Sequence, residues 1–231
     1  MALGINAEKT IAWIEEFPLS HFFTTKRFGN VARKYGPIDA TRLEAEIQRF
    51  VGKEYSRIHL IPHGKDICFM DADKSFQGNP SAQGVILRRN PEFTYVLTLY
   101  PADCYPILLT DSRYKIIGLL HGSWKQLKQK IIERAIALIQ TETKLDPQSI
   151  IVGIGPGIKK CCYHKDLLAM ILKQVDKYKI EKVFIAGTCT YCTKLEGEED
   201  YLFFSHRRSK VLPEPEGRFA AVLTSQLIGS G

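Results

Sequence analysis

The sequence predicts an α+β protein, a layered α/β arrangement with mixed sheets, and three observations point there. Short apolar runs bounded by turn-formers outnumber helical stretches. Two of them, 106–110 and 115–120, are joined through "DSRY" as a hairpin. Amphipathic segments of helical period then fall between the later strands, the order that lays helices over a sheet.

The predicted strands are 57–61 (RIHLI), 93–99 (FTYVLTL), 106–110 (PILLT), 115–120 (KIIGLL), 149–155 (SIIVGIG) and 182–187 (KVFIAG). Helical spacing in "DATRLEAEIQRFVG" puts Leu43, Ile47 and Phe50 on one face, with Asp39 as the expected cap. "WKQLKQKIIERAIALIQ" carries an apolar stripe of Leu127, Ile131, Ala135 and Leu138. In "KDLLAMILKQVDKY" the inward face is Leu168, Ile171, Leu172 and Val175. "NPSAQG" (79–84) and "LPEPEG" (212–217) read as exposed loops, neither of them a domain linker. One domain over 1–231 is expected, without internal repeats or low-complexity tracts.

Composition sets wide bounds. The 231 residues are 45% apolar and 25% charged, the balance of a globule with a sizeable core. The start "MALGINAEKTIAWIEEF" lacks a basic segment followed by an apolar one, and no uncharged run approaches the length of a membrane helix, so a cytoplasmic protein without membrane contact is expected. Six cysteines, two of them adjacent, are too sparse for a disulfide scaffold and read as reduced thiols. The net charge of +7 is compatible with an anionic partner. No nucleic-acid motif accompanies it, and the cations of "RRSK" and of 173–179 read as a solvated face.

Three polar residues interrupt the core-building runs. His63 in "IPHGK", Cys104 in "PADCYP" and His121 in "LLHGSW" each stand where an apolar strand stops, the place where layered α/β proteins expose functional groups. Two imidazoles and a thiolate suit zinc, and three protein ligands leave a fourth position for water. The same atoms allow a metal-free reading, with Cys104 as nucleophile, His121 as base and Asp103 or a carbonyl orienting the ring. The C-x-x-C at Cys189 and Cys192 has no second C-x-x-C and no helix opening beside it, so two ordinary buried thiols are expected. Gly153, Gly155 and Gly157, between a strand and a helix, fit either a backbone anion cradle or a tight turn.

The ordered segments "FFTTKRFGN", "PHG", "PADCYPILLTD", "LLHGSWKQL", "GIGPGIKKCCYHKDLL", "CTY" and "FFSHRR…GRF" resemble the YfiH-like laccase-domain family over about residues 21 to 219. The resemblance implies the fold shared with cytotoxic-necrotizing-factor-type cysteine hydrolases. It implies zinc on His63, Cys104 and His121, and a purine nucleoside phosphorylase that also cleaves methylthioadenosine and deaminates adenosine. Purine nucleosides and phosphate would then be the partners. An older family assignment is a copper polyphenol oxidase; six His and three Met supply few ligands for several coppers, so zinc is preferred. An amide hydrolase acting on cell-wall precursor peptides and a catalytically weakened, zinc-stabilised binding protein are the alternatives.

Departures from the family pattern bear on phosphate. The segment H-A-G-W-R-G is here His121, Gly122, Ser123, Trp124, Lys125, Gln126, so a bidentate guanidinium becomes a point charge. Lys26 stands at another family Arg, Ile61 replaces a Gln, Pro101 a Thr and His164 a Glu. Lys125 or Lys26 is the expected anion-neutralising residue, with Asp103 assisting proton transfer.

Overall fold

A computed structural model describes residues 3–38, 40–71 and 79–228. In chain order it runs β1 (Leu3–Ile5), β2 (Ile11–Ile14), β3 (Leu19–Thr24), α1 (Ala40–Val51), β4 (Ser56–His59), β5 (Ile67–Asp71), β6 (Gly84–Arg88), β7 (Tyr95–Leu99), β8 (Tyr105–Asp111) and β9 (Ile116–Gly122). It continues through α2 (Trp124–Lys128), α3 (Ile131–Thr143), β10 (Ile150–Ile154), α4 (Leu167–Asp176), β11 (Val183–Ile185) and β12 (Ala221–Leu227). Two six-stranded mixed sheets result, ordered β1-β2-β3-β12-β7-β4 and β11-β10-β8-β9-β6-β5.

Alternation along the strands explains the layers. In β7, Tyr95, Leu97 and Leu99 join a core shared with Val85, Leu87, Leu108, Ile117 and Leu119 of the other sheet, while Val96 faces the cluster that holds Leu43 and Ile47 of α1. In β8 and β9, Ile107, Leu109, Ile116 and Leu120 turn the other way, onto Ile131, Ile132, Ala135 and Ile136 of α3 and Ile171 of α4. The order is therefore α1, sheet, sheet, α2 to α4. Strands covered on both faces need apolar residues at both parities, which is why these segments read as continuous apolar runs.

Every predicted strand is present, and the predicted hairpin is the β8–β9 pair, in register from Tyr105↔Gly122 to Thr110↔Ile117. The expected long helix from Trp124 is two helices. Lys130 adopts a left-handed backbone (φ 57°) between them, and Gln174 of α4 serves both ends. Its Nε2 donates to Leu127 O (3.0 Å), which also accepts from Lys130 N (3.1 Å), and its Oε1 accepts from Ile132 N (3.1 Å) in the first turn of α3. The cap expected at Asp39 lies outside the described residues. The segment 79–84 is not an exposed loop: Ala82 and Gln83 are buried, and Gly84 opens β6. No helix among the described residues is long and apolar enough to cross a membrane.

None of the three glycines of 153–157 has positive φ, and the N–H groups of Gly155 and Gly157 already donate to Pro106 O (2.9 Å) and Thr188 O (3.4 Å), so they form neither a left-handed turn nor a free anion cradle. A Cβ on Gly155 would lie 2.7 Å from the Phe23 ring, and one on Gly157 would lie 2.6 Å from the Tyr105 ring. Glycine is needed there because aromatic rings lie against the backbone.

Candidate active site

The hairpin register puts Cys104 and His121 at one end of the second sheet. Cys104 immediately precedes β8, and His121 pairs with Pro106 near the end of β9. β6 brings Gln83 alongside, where its carbonyl accepts His121 N (2.8 Å) and its Oε1 pairs with His121 Nδ1 (2.8 Å). An amide oxygen only accepts, so Nδ1 carries the proton and Nε2 is left with its lone pair. Burial lowers the His121 pKa to about 4, which keeps the ring neutral.

The segment carrying His63 is fastened to the same place. His63 N donates to Ala82 O (3.4 Å), and Gly64 O accepts from Gln83 Nε2 (3.3 Å) and Gln126 Nε2 (3.2 Å). Arg134 then links Gln126 Oε1 (3.3 Å) to Lys65 O (2.6 Å). The His63 residue itself is exposed.

Cys104 is half-buried, and enough protein packs around it that desolvation, reinforced by Asp103 and opposed by Arg218, pushes its thiol up to about 12. Asp103 holds the turn before it in a left-handed conformation (φ 76°). Its two carboxylate oxygens accept from Thr190 Oγ1 and Arg207 N, both at 2.8 Å, and its carbonyl accepts from Ile158 N (2.8 Å). With both oxygens occupied by structural donors, Asp103 positions Cys104.

The two lysines differ from each other. Lys26 is neutralised by Glu214 (3.3 Å) and Asp200 (3.7 Å). Lys125 stands exposed in the first turn of α2, just past the Ser123 cap.

A cleft of about 750 Å³ contributes residues that the sequence did not single out. Arg33, Lys34, Arg57, His59, Asn79 and Tyr100 line it. The His59 ring lies 4.2 Å from Tyr100, and burial, then the Arg57 charge, lowers its pKa to about 4. Tyr100 leads through Pro101 and Ala102 to Asp103. Arg218, which favours the Cys104 thiolate, lies 3.7 Å over the ring of Tyr35, beside Arg33 and Lys34. An Arg in the "GRF" segment already in view was the available signal for Arg218, whereas Gln83 lies in a segment whose composition reads as a loop.

Among the described residues, one set of three or more His, Cys, Asp or Glu has its ligand atoms within 4.8 Å of each other: Cys161, Cys162, Cys189 and Cys192. His63, Cys104 and His121 share a neighbourhood but do not form such a set. The expectation of two ordinary buried thiols at 189 and 192 is corrected, because Cys189 is buried, Cys192 is exposed, and both meet the adjacent pair from another loop. Burial pushes the Cys189 pKa up, yet N–H groups of Lys159, Cys192 and Tyr191 donating to its sulfur hold it below the ordinary value.

The family model described as "Multi-copper polyphenol oxidoreductase laccase" matches residues 40–165, more than half of the chain. The chain belongs to this family. Among curated laccase-family relatives, "Purine nucleoside phosphorylase YlmD" of Geobacillus stearothermophilus is 27% identical over 186 residues, 64% of this chain and 65% of its own length. "Purine nucleoside phosphorylase CA_C1699" of Clostridium acetobutylicum is 26% identical over 171 residues, 63% of this chain and 68% of its own. This laccase-family chain thus spans about two thirds of the length of these relatives. The crystal structure of Bacillus licheniformis hypothetical protein YfiH has the same fold, with a TM-score of 0.77 at 19% identity over 96% of this chain and 98% of the other.

Proposed function

We propose that this chain is a zinc-dependent purine nucleoside phosphorylase whose chemistry takes place at the Cys104–His121 end of the second sheet. The observation that carries the reading is the Gln83–His121 bond, which leaves Nε2 with its lone pair at the same end of the sheet as Cys104. The names of the curated relatives support the same activity.

The donor set suits zinc: a neutral imidazole with fixed tautomer at His121, the Cys104 sulfur and the imidazole of His63 on its tethered segment. Copper fits less well. His21 spends both ring nitrogens on Ile14 N and Leu19 O, His59 bonds Thr98, and His206 pairs with Glu216. Bound zinc would supply Lewis acidity and a local positive field.

The chain's own residues do the rest. Phosphorolysis forms a bond from a phosphate oxygen to ribose C1′ while the C1′–N9 bond breaks, its electron pair leaving on the base. Arg33 and Lys34 place cations where phosphate would be held, Arg57 being paired with Glu44, and the ring of His59 tilted against Tyr100 offers an aromatic surface for a purine. Lys125 is an exposed cation in the helix that follows the His121 strand, whereas Lys26 already has two carboxylate partners. Asp103 sets the Cys104 turn, and its carboxylate, held by Thr190 and Arg207 N, is the group placed to assist proton transfer.

The test is turnover by zinc-loaded protein of inosine with phosphate, and of adenosine and methylthioadenosine, by chromatography of the released base. Cys104→Ala and His121→Ala are each expected to lower kcat/KM by at least about 100-fold. Absence of turnover on the whole panel sinks the reading, and amide cleavage by metal-free protein favours the hydrolase instead.

A further inference from the structure

We infer that Cys161, Cys162, Cys189 and Cys192 form a tetrathiolate zinc site that staples two loops together, separate from the Cys104–His121 site. Four thiols within 4.8 Å of each other are spaced for one ion. The Cys161 and Cys192 sulfurs are 3.8 Å apart, and those of Cys161 and Cys162 are 3.6 Å apart. A zinc tetrahedron with bonds of about 2.3 Å has sulfur-to-sulfur edges of about 3.8 Å. A disulfide needs about 2.05 Å.

The surroundings match a bound thiolate cluster. The turn before α4 supplies Cys161 and Cys162, and the segment after β11 supplies the C-x-x-C. A bridge between Gly157 and Cys189 holds the two together, with Thr190 N donating to Gly157 O (3.2 Å). Lys159 N donates to the Cys189 sulfur (3.4 Å), and Cys192 and Tyr191 N–H groups aim at the same atom. Backbone donors of this kind stabilise the charge of a coordinated sulfur. A Zn(Cys)4 unit carries two negative charges, and Lys159 and Lys160 lie directly before the ligand pair. Four sulfurs in a tetrahedron select zinc over harder cations, and four protein ligands close the coordination shell, the mark of a structural site.

The site would bear on the chemistry next door. Thr190, inside the C-x-x-C, donates to the Asp103 carboxylate, and buried Arg208 donates to Thr190 O (2.8 Å) and Tyr191 O (2.6 Å). An ion that fixes 189–192 also fixes the support under Cys104. The inference does not depend on the phosphorylase reading.

The experiment loads the full chain with Zn²⁺ or Co²⁺ alone. Co²⁺ is expected to give intense sulfur-to-cobalt charge transfer and tetrahedral visible bands that survive in Cys104→Ser and His121→Ala. Both are expected to be lost in Cys192→Ser, with a fall of about one zinc equivalent. Thiol mapping in the wild type guards against a variant that fails to fold. Zinc should slow alkylation of Cys161, Cys162, Cys189 and Cys192 at least about tenfold and leave Cys68 unchanged. The inference is overturned by cobalt bands that vanish with Cys104→Ser yet persist in Cys192→Ser, by unprotected thiols at saturating zinc, or by a Cys161–Cys192 disulfide with no zinc uptake.

Discussion

The four cysteines and the trio of His63, Cys104 and His121 are two candidate ligand sets, and they are built in opposite ways. The cysteines come two at a time from two loops already tied by backbone hydrogen bonds, so one meeting of two segments assembles all four. The trio comes one residue at a time from three strand ends, and its third member sits on an exposed segment. A set gathered by the backbone is ready for its ion and suits a staple, whereas a set that awaits closure leaves room for substrate. Thr190 joins them directly through its bond to Asp103, and Arg208, which holds the carbonyls of Thr190 and Tyr191, follows Arg207, whose N–H also donates to Asp103.

That linkage gives the largest expected effect. Arg208 has no exposed surface, pairs with Glu214 (2.6 Å) and donates to three carbonyls, the third being Phe203 O (2.7 Å). Arg208→Met strands all of them and is expected to cost about 3–5 kcal/mol in urea unfolding. It should also weaken cobalt binding by the cysteines. Unchanged stability would mean that the two regions are not mechanically joined.

Acid should act on three imidazoles whose pKa burial lowers, His21, His59 and His121, of which only His121 belongs to either set. Buried His21 accepts from Ile14 N and donates to Leu19 O; burial lowers its pKa to about 4 despite that last bond. Between its unfolded value of about 6.5 and 4 the unfolded chain binds the extra proton, so stability falls as pH drops through that window. His21 alone accounts for roughly 3 kcal/mol. Urea midpoints from pH 7 to 4, with an NMR titration of the ring, check it; a His21 midpoint near 6.5 would refute the assignment.

The smallest effect separates the two sets most sharply. Gln83→Leu removes the acceptor for His121 Nδ1 and one tether on Gly64. Activity or metal affinity at the Cys104–His121 end should fall about 10- to 100-fold, while the tetrathiolate cobalt spectrum stays as in the wild type. Equal losses at both would show one coupled site in place of two.

Legibility followed how local each feature is. β7 to β10 were readable because they are buried on both faces and flanked by turn-formers, and β4 and β11 because short apolar runs overlap them. β1 to β3 and β12 went unread, since their pairing is between the two ends of the chain, with Ala221 against Phe23 and Leu223 against His21. β6 was obscured by "NPSAQG", a turn-like composition whose second half is buried. Cys104 and His121 stood out as polar breaks in apolar runs, and the hairpin does place them at one end. The partnership of "CC" with "CTYC" was invisible, because 26 residues with a helix and a strand lie between Cys162 and Cys189.

By itself the sequence determined the strands of the central hairpin and its neighbours, the amphipathic helices and the donor types at the strand ends, because burial and hydrogen-bonding capacity belong to each side chain. Tertiary structure decided which donors meet. Only the packed sheets turn His121 Nδ1 toward Gln83, occupy both oxygens of Asp103, neutralise Lys26 and bring two distant pairs of thiols to the spacing of one ion. Such encounters depend on register and loop closure between segments far apart in the chain, where neither periodicity nor local propensity reaches.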